Sequence, residues 1–513
     1  MWSRFGRGAA PRWRVGLAGA SLAASAVGAA AAADEGFRRC LQFWAVVLPI
    51  FAHYKFVDRI LHPSPSAERT EAFERLHDFY SPIVRSATLR LRGYYLKVAQ
   101  FLSMRDDYVP PQYLSWAKKL QDEAPVALSA PEAQRCVAAE LGLHGLDAAF
   151  EDWSTVPIGS ASIGQVYLAR LRSSGERVAV KVQMPGAEHL FRVDIKTLKL
   201  FTSFAFPWAV DHMSELEAMF ESEFDYALER ENMERVRANV EQRWGKRVAI
   251  PKTYPELCSR RVLCMEYLEG EKLVDGILRR VRALASKAGR DPDEVVADHL
   301  EKLRTGKLMA RSAYAAKWRA RAWQVWQRLQ GIEDINIPQL METLMTIHGE
   351  QVFTDGLFNA DPHPGNVLML KDAARAVGLI DFGQVKELSI DFRIQLAKLM
   401  IALARRDQAE VVRLDKEMGN RTRNSKSDVR YRVLSFWLDR DTDDVTQGQS
   451  FHDFLAWAEA EDPLVDMRQE LHLVMRCSCM IRNLALTFGI RLSTAEYWRP
   501  LAQALLQKHS ITY

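Results

Sequence analysis

Between residues 68 and 120, apolar side chains recur at three- and four-residue steps, among them Phe73, Leu76, Phe79, Tyr80, Ile83 and Val84. That spacing lines one stripe of a helix, so amphipathic helices are predicted here. Pro110-Pro111 lacks amide hydrogens and breaks the run. A further helix is expected after Pro131, and then the rhythm changes. Residues 156–171 read VPIGSASIGQVYLARL, and beyond Ser173-Ser174-Gly175 the chain reads ERVAVKVQMPG. β-Branched residues alternating on both sides of a small-residue turn predict strand, turn, strand. Residues 198–237 return to a helical pattern and 261–267 (RVLCMEY) to a short strand. Residues 276–335 are helical and basic, and helices dominate from 391 onward. No internal repeat is present.

Length and composition change this picture little. At roughly 150 residues per domain, 513 residues make two to four units, and 48% hydrophobic with 26% charged residues is an ordinary globular balance. Net charge is +4, which leaves no global footprint for nucleic acid, and no nucleic-acid partner is expected. The basic excess is local. Arg4, Arg7, Arg12 and Arg14 precede the first acid, Asp34. An Arg-rich, acid-poor, Ala/Ser-rich leader reads as an organelle transit peptide, mitochondrial or plastid, with a secretory signal or an uncleaved anchor as rivals. The apolar stretch 41–52 (LQFWAVVLPIFA) is too short to cross a bilayer, which takes about 20 apolar residues, and is expected to be a buried or interfacial helix. Six cysteines show neither C-x-x-C pairs nor zinc-ligand spacing, so buried thiols are expected rather than a disulfide framework or zinc site.

The chemistry concentrates in a few places. ATP chemistry needs a small-residue loop near the phosphates, a cation for their oxygens, a carboxylate to fix that cation, and oxygen ligands for magnesium. Gly159, Ser160, Ala161 and Ser162 lie between two strand-like runs and suit the loop, although small-residue turns are common without function. Lys181 interrupts the apolar strand Val178-Ala179-Val180-Lys181-Val182, as a phosphate-contacting lysine does. In the acidic stretch 221–229, read as helix, Asp225 and Glu229 share a face while Glu223 points elsewhere. Asp361, followed five residues later by Asn366, then an apolar strand and Asp381-Phe382-Gly383, is the order in which kinase-like enzymes hold an acceptor and magnesium. Asp361 would orient or deprotonate the acceptor, while Asn366 and Asp381 offer the hard oxygen donors that magnesium prefers. A metal site built from Asp361, His363 and Asp381 is a weaker alternative.

On these motifs the chain resembles the UbiB family of atypical protein-kinase-like proteins, the aarF-domain kinases. The motifs run in order: Lys97-Val98-Ala99-Gln100, GSASIGQ from Gly159 to Gln165, Lys181, Glu223-Phe224-Asp225, DPHPGN from Asp361 to Asn366, and Asp381-Phe382-Gly383. The resemblance implies an α+β, two-lobed protein-kinase-like fold with a small β-sheet N-lobe, a mainly helical C-lobe and a helical N-terminal extension. The boundaries expected are 1–36 for targeting, 37–130 for the extension, 131–269 for the N-lobe, 270–430 for the C-lobe with its basic insert, and 431–513 for C-terminal helices. It further implies ATP and Mg2+ as cofactors and a nucleotide loop of Gly159 to Ser162 with Gln165. Glu229 would pair with Lys181, and Glu223 and Asp225 would meet the N-terminal extension, in which Lys97 and Gln100 would lie over the site that otherwise receives a peptide; that extension argues against ordinary protein phosphorylation.

ATPase or small-molecule kinase activity in ubiquinone or other isoprenoid-lipid metabolism at an organelle membrane is the implied function. Isoprenoid lipid, an anionic membrane surface and quinone-biosynthesis proteins are the implied partners. The rivals are a Ser/Thr protein kinase and a nucleotide-switched binding module. Three features depart from the family pattern. Ala99 stands where the family has glycine, Asn359 stands where many members have histidine, and the basic insert with Trp318, Trp323 and Trp326 matches no motif. Ala99 is expected to loosen the fit of the extension, and the insert reads either as a solvated helix pair or as a patch for anionic lipid.

Overall fold

The computed structural model describes residues 32–513 except 65, 103–108, 122–127, 161–162, 208–209, 211–212, 214–216, 218–219, 288, 295–336, 372–376, 450, 487 and 489. Ala161, Ser162 and most of the basic insert, its three tryptophans included, lie outside the described residues. The chain divides into two compact units. One takes in Met1–Cys136, Thr155–Val166 and Gln183–Phe224, the other Val137–Ser154, Tyr167–Val182 and Asp225–Tyr513.

The first unit is helical. Asp34 caps the helix Glu35–Phe56 by accepting from the Phe37 N–H at 3.0 Å, satisfying one of the amides that a helix start leaves unpaired. Five π-helical residues, Val57–Leu61, prolong it. Ser66 caps Ala67–Leu91 in the same way. Arg92, at φ 54, ends that helix, and Gly93–Leu102 follows. Pro111 opens the short helix Pro111–Ala117, where its missing N–H leaves no intrahelical bond unmade.

Helix Ala187–Ala205 packs on Glu35–Phe56. Arg39 there forks onto the buried Asp194, with Nε to Oδ1 at 3.0 Å and Nη2 to Oδ2 at 2.5 Å, and Phe43 buries with Leu91 and Tyr95. Tyr94, Ile163, Phe191, Ile195, Phe220 and Phe224 form a second cluster.

Two expectations change in this unit. Residues 41–52 sit inside a helical stretch of 27 residues, Glu35–Leu61, long and apolar enough to cross a membrane by length and composition. The apolar run looked short because flanking charges such as Arg39 and Lys55 bounded it, and isolated charges do not end a helix. In Ala67–Leu91 the buried residues are Ala72, Leu76, Ser81, Thr88 and Leu91, with Phe73 and Tyr80 packed beside the first two. Phe79 and Ile83 stay exposed, because the stripe inferred from spacing was wider than the contact surface.

An antiparallel sheet lies mostly in the second unit. Strand Arg177–Gln183 lies between Gly164–Leu171 and Val262–Glu266, in register from Val178↔Glu266 to Val182↔Val262. Gly175, at φ 74, turns the first pair, a conformation only glycine adopts without strain. Val178, Val180 and Val182 are buried on one face, and Ala179 and Lys181 alternate onto the other.

The acidic stretch is not one helix: Ser222–Phe224 is a 3-10 turn and Asp225 is extended. The Asp225 carboxylate accepts from the Ala227 and Leu228 N–H groups, starting the helix Tyr226–Trp244. A local side-chain bond that captures helix-start amides outcompetes a continuous helix here.

Farther on, Val367–Leu370 pairs with Val377–Leu379 and Gly270–Lys272, and Leu357–Asn359 with Val385–Glu387. Helices Ile337–Glu350, Ile390–Arg405, Gln469–Leu486 and Thr494–Lys508 supply most of the remaining core.

Candidate active site

The second unit brings together four of the residues singled out by sequence. Lys181 leaves its strand on the face opposite the buried valines and donates to both Glu229 carboxylate oxygens at 2.8 Å. Glu229 lies one turn into the helix that Asp225 caps and is 3% exposed. On Lys181's other side stands Asp381, whose Oδ2 is 3.9 Å from Nζ, and the Tyr226 ring centroid lies 4.8 Å away. Burial disfavours the ammonium, but the Glu229 and Asp381 carboxylates together outweigh it and raise Lys181 above the ordinary lysine pKa. Lys181 is therefore a fixed, permanently charged group at neutral pH.

Asp381 accepts from the Gly383 N–H at 3.1 Å through Oδ1 and keeps a side-chain exposure of 41%. Phe382 is fully buried, and its carbonyl accepts from Asn232 at 3.4 Å. Asn366 closes the 3-10 turn Pro364–Asn366, and its carbonyl accepts from the Ile380 N–H at 3.2 Å. The two segments carrying the expected magnesium ligands thus run side by side. Amide and carboxylate oxygens are donors of the kind magnesium takes, and Asp381 leaves part of its carboxylate open, so the residues present fit that ion.

His363 accepts from the Gly365 N–H at 3.1 Å through Nδ1 and caps the same turn. Among the described residues no group of three His, Cys, Asp or Glu side chains is arranged to hold a metal. The alternative site on Asp361, His363 and Asp381 therefore has no support in the geometry.

Asn359 stands two residues before Asp361. Its Oδ1 accepts from the Asp361 N–H at 2.9 Å and its Nδ2 donates to the Asp381 carbonyl at 2.8 Å. One amide side chain, donor at one end and acceptor at the other, thus joins the backbones of both motifs. Arg476, on the helix Gln469–Leu486, was not anticipated from the sequence. Its Nη2 donates to the Ala360 carbonyl at 2.9 Å and to Gln384 Oε1 at 2.8 Å, and lies 3.7 Å from Asp361 Oδ1. No local pattern flags it, because its partners stand 116 and 92 residues away.

Except for Asp225, the remaining expected residues belong to the first unit. Lys97 pairs with Glu223, Nζ lying 2.7 Å from Oε1 and 2.9 Å from Oε2. Gln100 donates to the Leu120 carbonyl at 2.6 Å. Ala99 is buried with Leu96 and Leu120, so its methyl group fills a packed cluster instead of loosening one. Asp225 caps the helix Tyr226–Trp244 in the second unit. Gly159 and Ser160 form a two-residue strand paired with Val166 and Gln165. Gln165, placed with the nucleotide by sequence, is fully buried and accepts from the Leu128 N–H at 2.6 Å.

A strand lysine held by a helix glutamate, beside an Asp-Phe-Gly segment and an Asp-x4-Asn turn, is the layout of a protein-kinase-like site. The chain belongs to the UbiB, or aarF-domain, family: residues 119–306 and 325–415, more than half of it, match the ABC1 atypical kinase-like domain. Its fold is the α+β, two-lobed kinase-like one. Relatives include ACTIVITY OF BC1 COMPLEX KINASE 3, chloroplastic, of Arabidopsis thaliana, 29% identical over 64% of this chain and 39% of that one. AarF domain-containing protein kinase 1 of Gallus gallus is 28% identical over 64% of this chain and 54% of that one, and the Mus musculus protein of the same name 26% over 79% and 70%. The chain spans about half the length of the first curated relatives it matches. Among solved structures, the Mycobacterium tuberculosis protein Rv3197, in complex with erythromycin, aligns with a TM-score of 0.48 and 20% identity, covering 85% of this chain and 98% of that one.

Proposed function

We propose that this protein uses magnesium-bound ATP, as an atypical kinase or ATPase of the UbiB type, and serves ubiquinone or other isoprenoid-lipid metabolism at an organelle membrane. The observation that carries the catalytic part is Lys181, held by both oxygens of a buried glutamate and facing Asp381 at 3.9 Å. Keeping a lysine buried and charged is unfavourable unless its charge is used, and phosphate oxygens are the ligand such a lysine serves in the kinase signature.

In this reading Glu229 orients the ammonium, and Lys181 steadies the phosphates. Asn366 and Asp381 would hold magnesium, which when bound offsets charge on the phosphate oxygens. Asp361 receives or directs the acceptor's proton. Asn359 keeps Asp361 and Asp381 in step.

Support for the membrane part comes from exposed apolar side chains in the first unit. Leu48 and Phe56 on Glu35–Phe56 are 50% and 49% exposed, and Leu200 and Phe204 on Ala187–Ala205 are 59% and 47% exposed. Large apolar side chains left exposed on two packed helices suit an interaction surface. Because Arg39 and Phe43 tie the opposite side of the first helix to its neighbours, a helix lying on the bilayer fits better than one crossing it. An organelle location, mitochondrial or plastid, accompanies this reading, and the name of the Arabidopsis relative places that protein in the chloroplast.

The test is ATP turnover by the full chain with and without magnesium and vesicles of anionic phospholipid. Turnover that falls at least about 100-fold in Asp381→Asn and rises with vesicles is expected. The rise is expected to disappear in Leu48→Asp/Phe204→Asp while vesicle-free turnover holds. ATP binding without turnover under every condition would replace this reading with a nucleotide-switched binding module, and vesicle-independent transfer to Ser/Thr peptides would replace it with a protein kinase.

A further inference from the structure

Asp361 is held on two sides by residues far apart in sequence. On one side Asn359 takes its N–H. On the other, Arg476 donates to the carbonyl of Ala360, the residue just before it, and its guanidinium stands 3.7 Å from the Asp361 carboxylate. The same Nη2 bonds Gln384, which follows Asp381-Phe382-Gly383, and the Gln384 carbonyl accepts from the Ala360 N–H at 2.8 Å. Arg476 is thus a staple across the Asp361 segment and the segment after Gly383. Its neighbour Cys477 is buried, with Sγ 3.9 Å from the Asn359 carbonyl, so this turn of the helix is seated on the Asp361 segment by both side chains.

We infer that Arg476 is a positioning residue for Asp361, acting from the C-terminal helix Gln469–Leu486. The inference rests on the reading of Asp361 as the group that meets the phosphoryl acceptor. A guanidinium suits the task because it is rigid, planar and always charged, and can serve a carbonyl, an amide oxygen and a nearby carboxylate at once. A lysine could keep a charge near Asp361 without bridging all three. Side-chain exposures of 23% for Arg476 and 33% for Asp361 leave the pair partly screened from water yet open to an acceptor. Positional errors of about 1 Å at such a group can lower turnover by roughly 100-fold.

The experiment compares the full-length wild type with Arg476→Lys, Arg476→Gln and Gln384→Ala. Magnesium-dependent ATP turnover, affinity for a fluorescent ATP analogue and amide hydrogen exchange are measured for each. Arg476→Gln is expected to lower kcat by about 10- to 100-fold with the KM for ATP within about twofold, since nucleotide contacts fall to other residues. Arg476→Lys should recover part of the loss, and Gln384→Ala should give a smaller loss of the same kind. Exchange should quicken in peptides covering 357–366 and 381–387 and stay unchanged in the helix Thr494–Lys508.

Wild-type kcat with unchanged exchange in Arg476→Gln overturns the inference. So does loss of activity accompanied by faster exchange throughout the second unit, which would make Arg476 a general stabiliser. If the wild type turns over no ATP, the proposed function fails, and the local exchange difference alone still decides for or against the staple.

Discussion

The Lys181–Glu229 pair allows stability to be separated from function by a double-mutant cycle. Glu229→Leu leaves the Lys181 ammonium, whose side chain is 15% exposed, with Asp381 at 3.9 Å in place of two bonds at 2.8 Å. Lys181→Met leaves a carboxylate of 4% side-chain exposure without its cation. Stranding one member of a buried pair costs about 3–5 kcal/mol, whereas replacing both by apolar groups of similar volume is often neutral.

Each single variant is therefore expected to lose about 3–5 kcal/mol, and the double variant no more than about 2 kcal/mol. Coupling of about 4 kcal/mol or more follows, far above the roughly 0.2–1 kcal/mol of an exposed pair. Urea unfolding at pH 7, followed by tryptophan fluorescence, supplies the four stabilities, and ATP turnover is measured alongside. A near-native double variant without turnover would show that the pair is kept for chemistry and not for folding. Additive losses, with the double variant down by about 6–10 kcal/mol, would refute the reasoning, because the two side chains would then stabilise the fold independently.

Two further predictions concern buried titratable groups. Burial lowers His348, on the helix Ile337–Glu350, to a pKa of about 4, against a small opposing effect of its bond to the Leu344 carbonyl. The unfolded chain takes up this proton near pH 6.5 and the folded one near 4, so the unfolded state binds more protons in between. Stability should be full above pH 6.5 and fall by up to about 3 kcal/mol as pH drops to 4, at about 1.4 kcal/mol per pKa unit. Urea midpoints across that window should flatten in His348→Gln, and an unchanged slope would assign the dependence elsewhere. Burial likewise raises Asp194 to about 6 even with Arg39 beside it. Arg39→Met should cost about 3–5 kcal/mol by leaving that carboxylate uncompensated, and Arg39→Met/Asp194→Leu should recover most of it. A thermal melt of the double variant no better than that of Arg39→Met would count against the argument.

What could be read along the chain was whatever depends on neighbours in sequence. Period-two alternation around Gly175 marked the lysine strand, and the order of Lys181, Asp361, Asn366 and Asp381 marked the kinase-like class, because a motif's chemistry requires those residue types at those spacings. Where spacing alone was used, the boundaries slipped. Asp225 looked like a residue inside a helix and proved to be the cap that starts one. Residues 41–52 looked like an isolated apolar run and proved to be the middle of a 27-residue helix.

Partners chosen by packing were not legible at all. Nothing near residue 476 indicates that an arginine there will meet Ala360 and Gln384, or that Arg39 will fork onto Asp194, 155 residues on. Those pairings depend on where whole helices come to rest, which is decided by burying apolar faces such as Phe43 and Cys477 and by leaving no buried charge without its counter-charge. The sequence by itself thus determined the class of protein and the residue types proposed to carry its chemistry. Only the tertiary structure decided which distant side chains hold that chemistry in place.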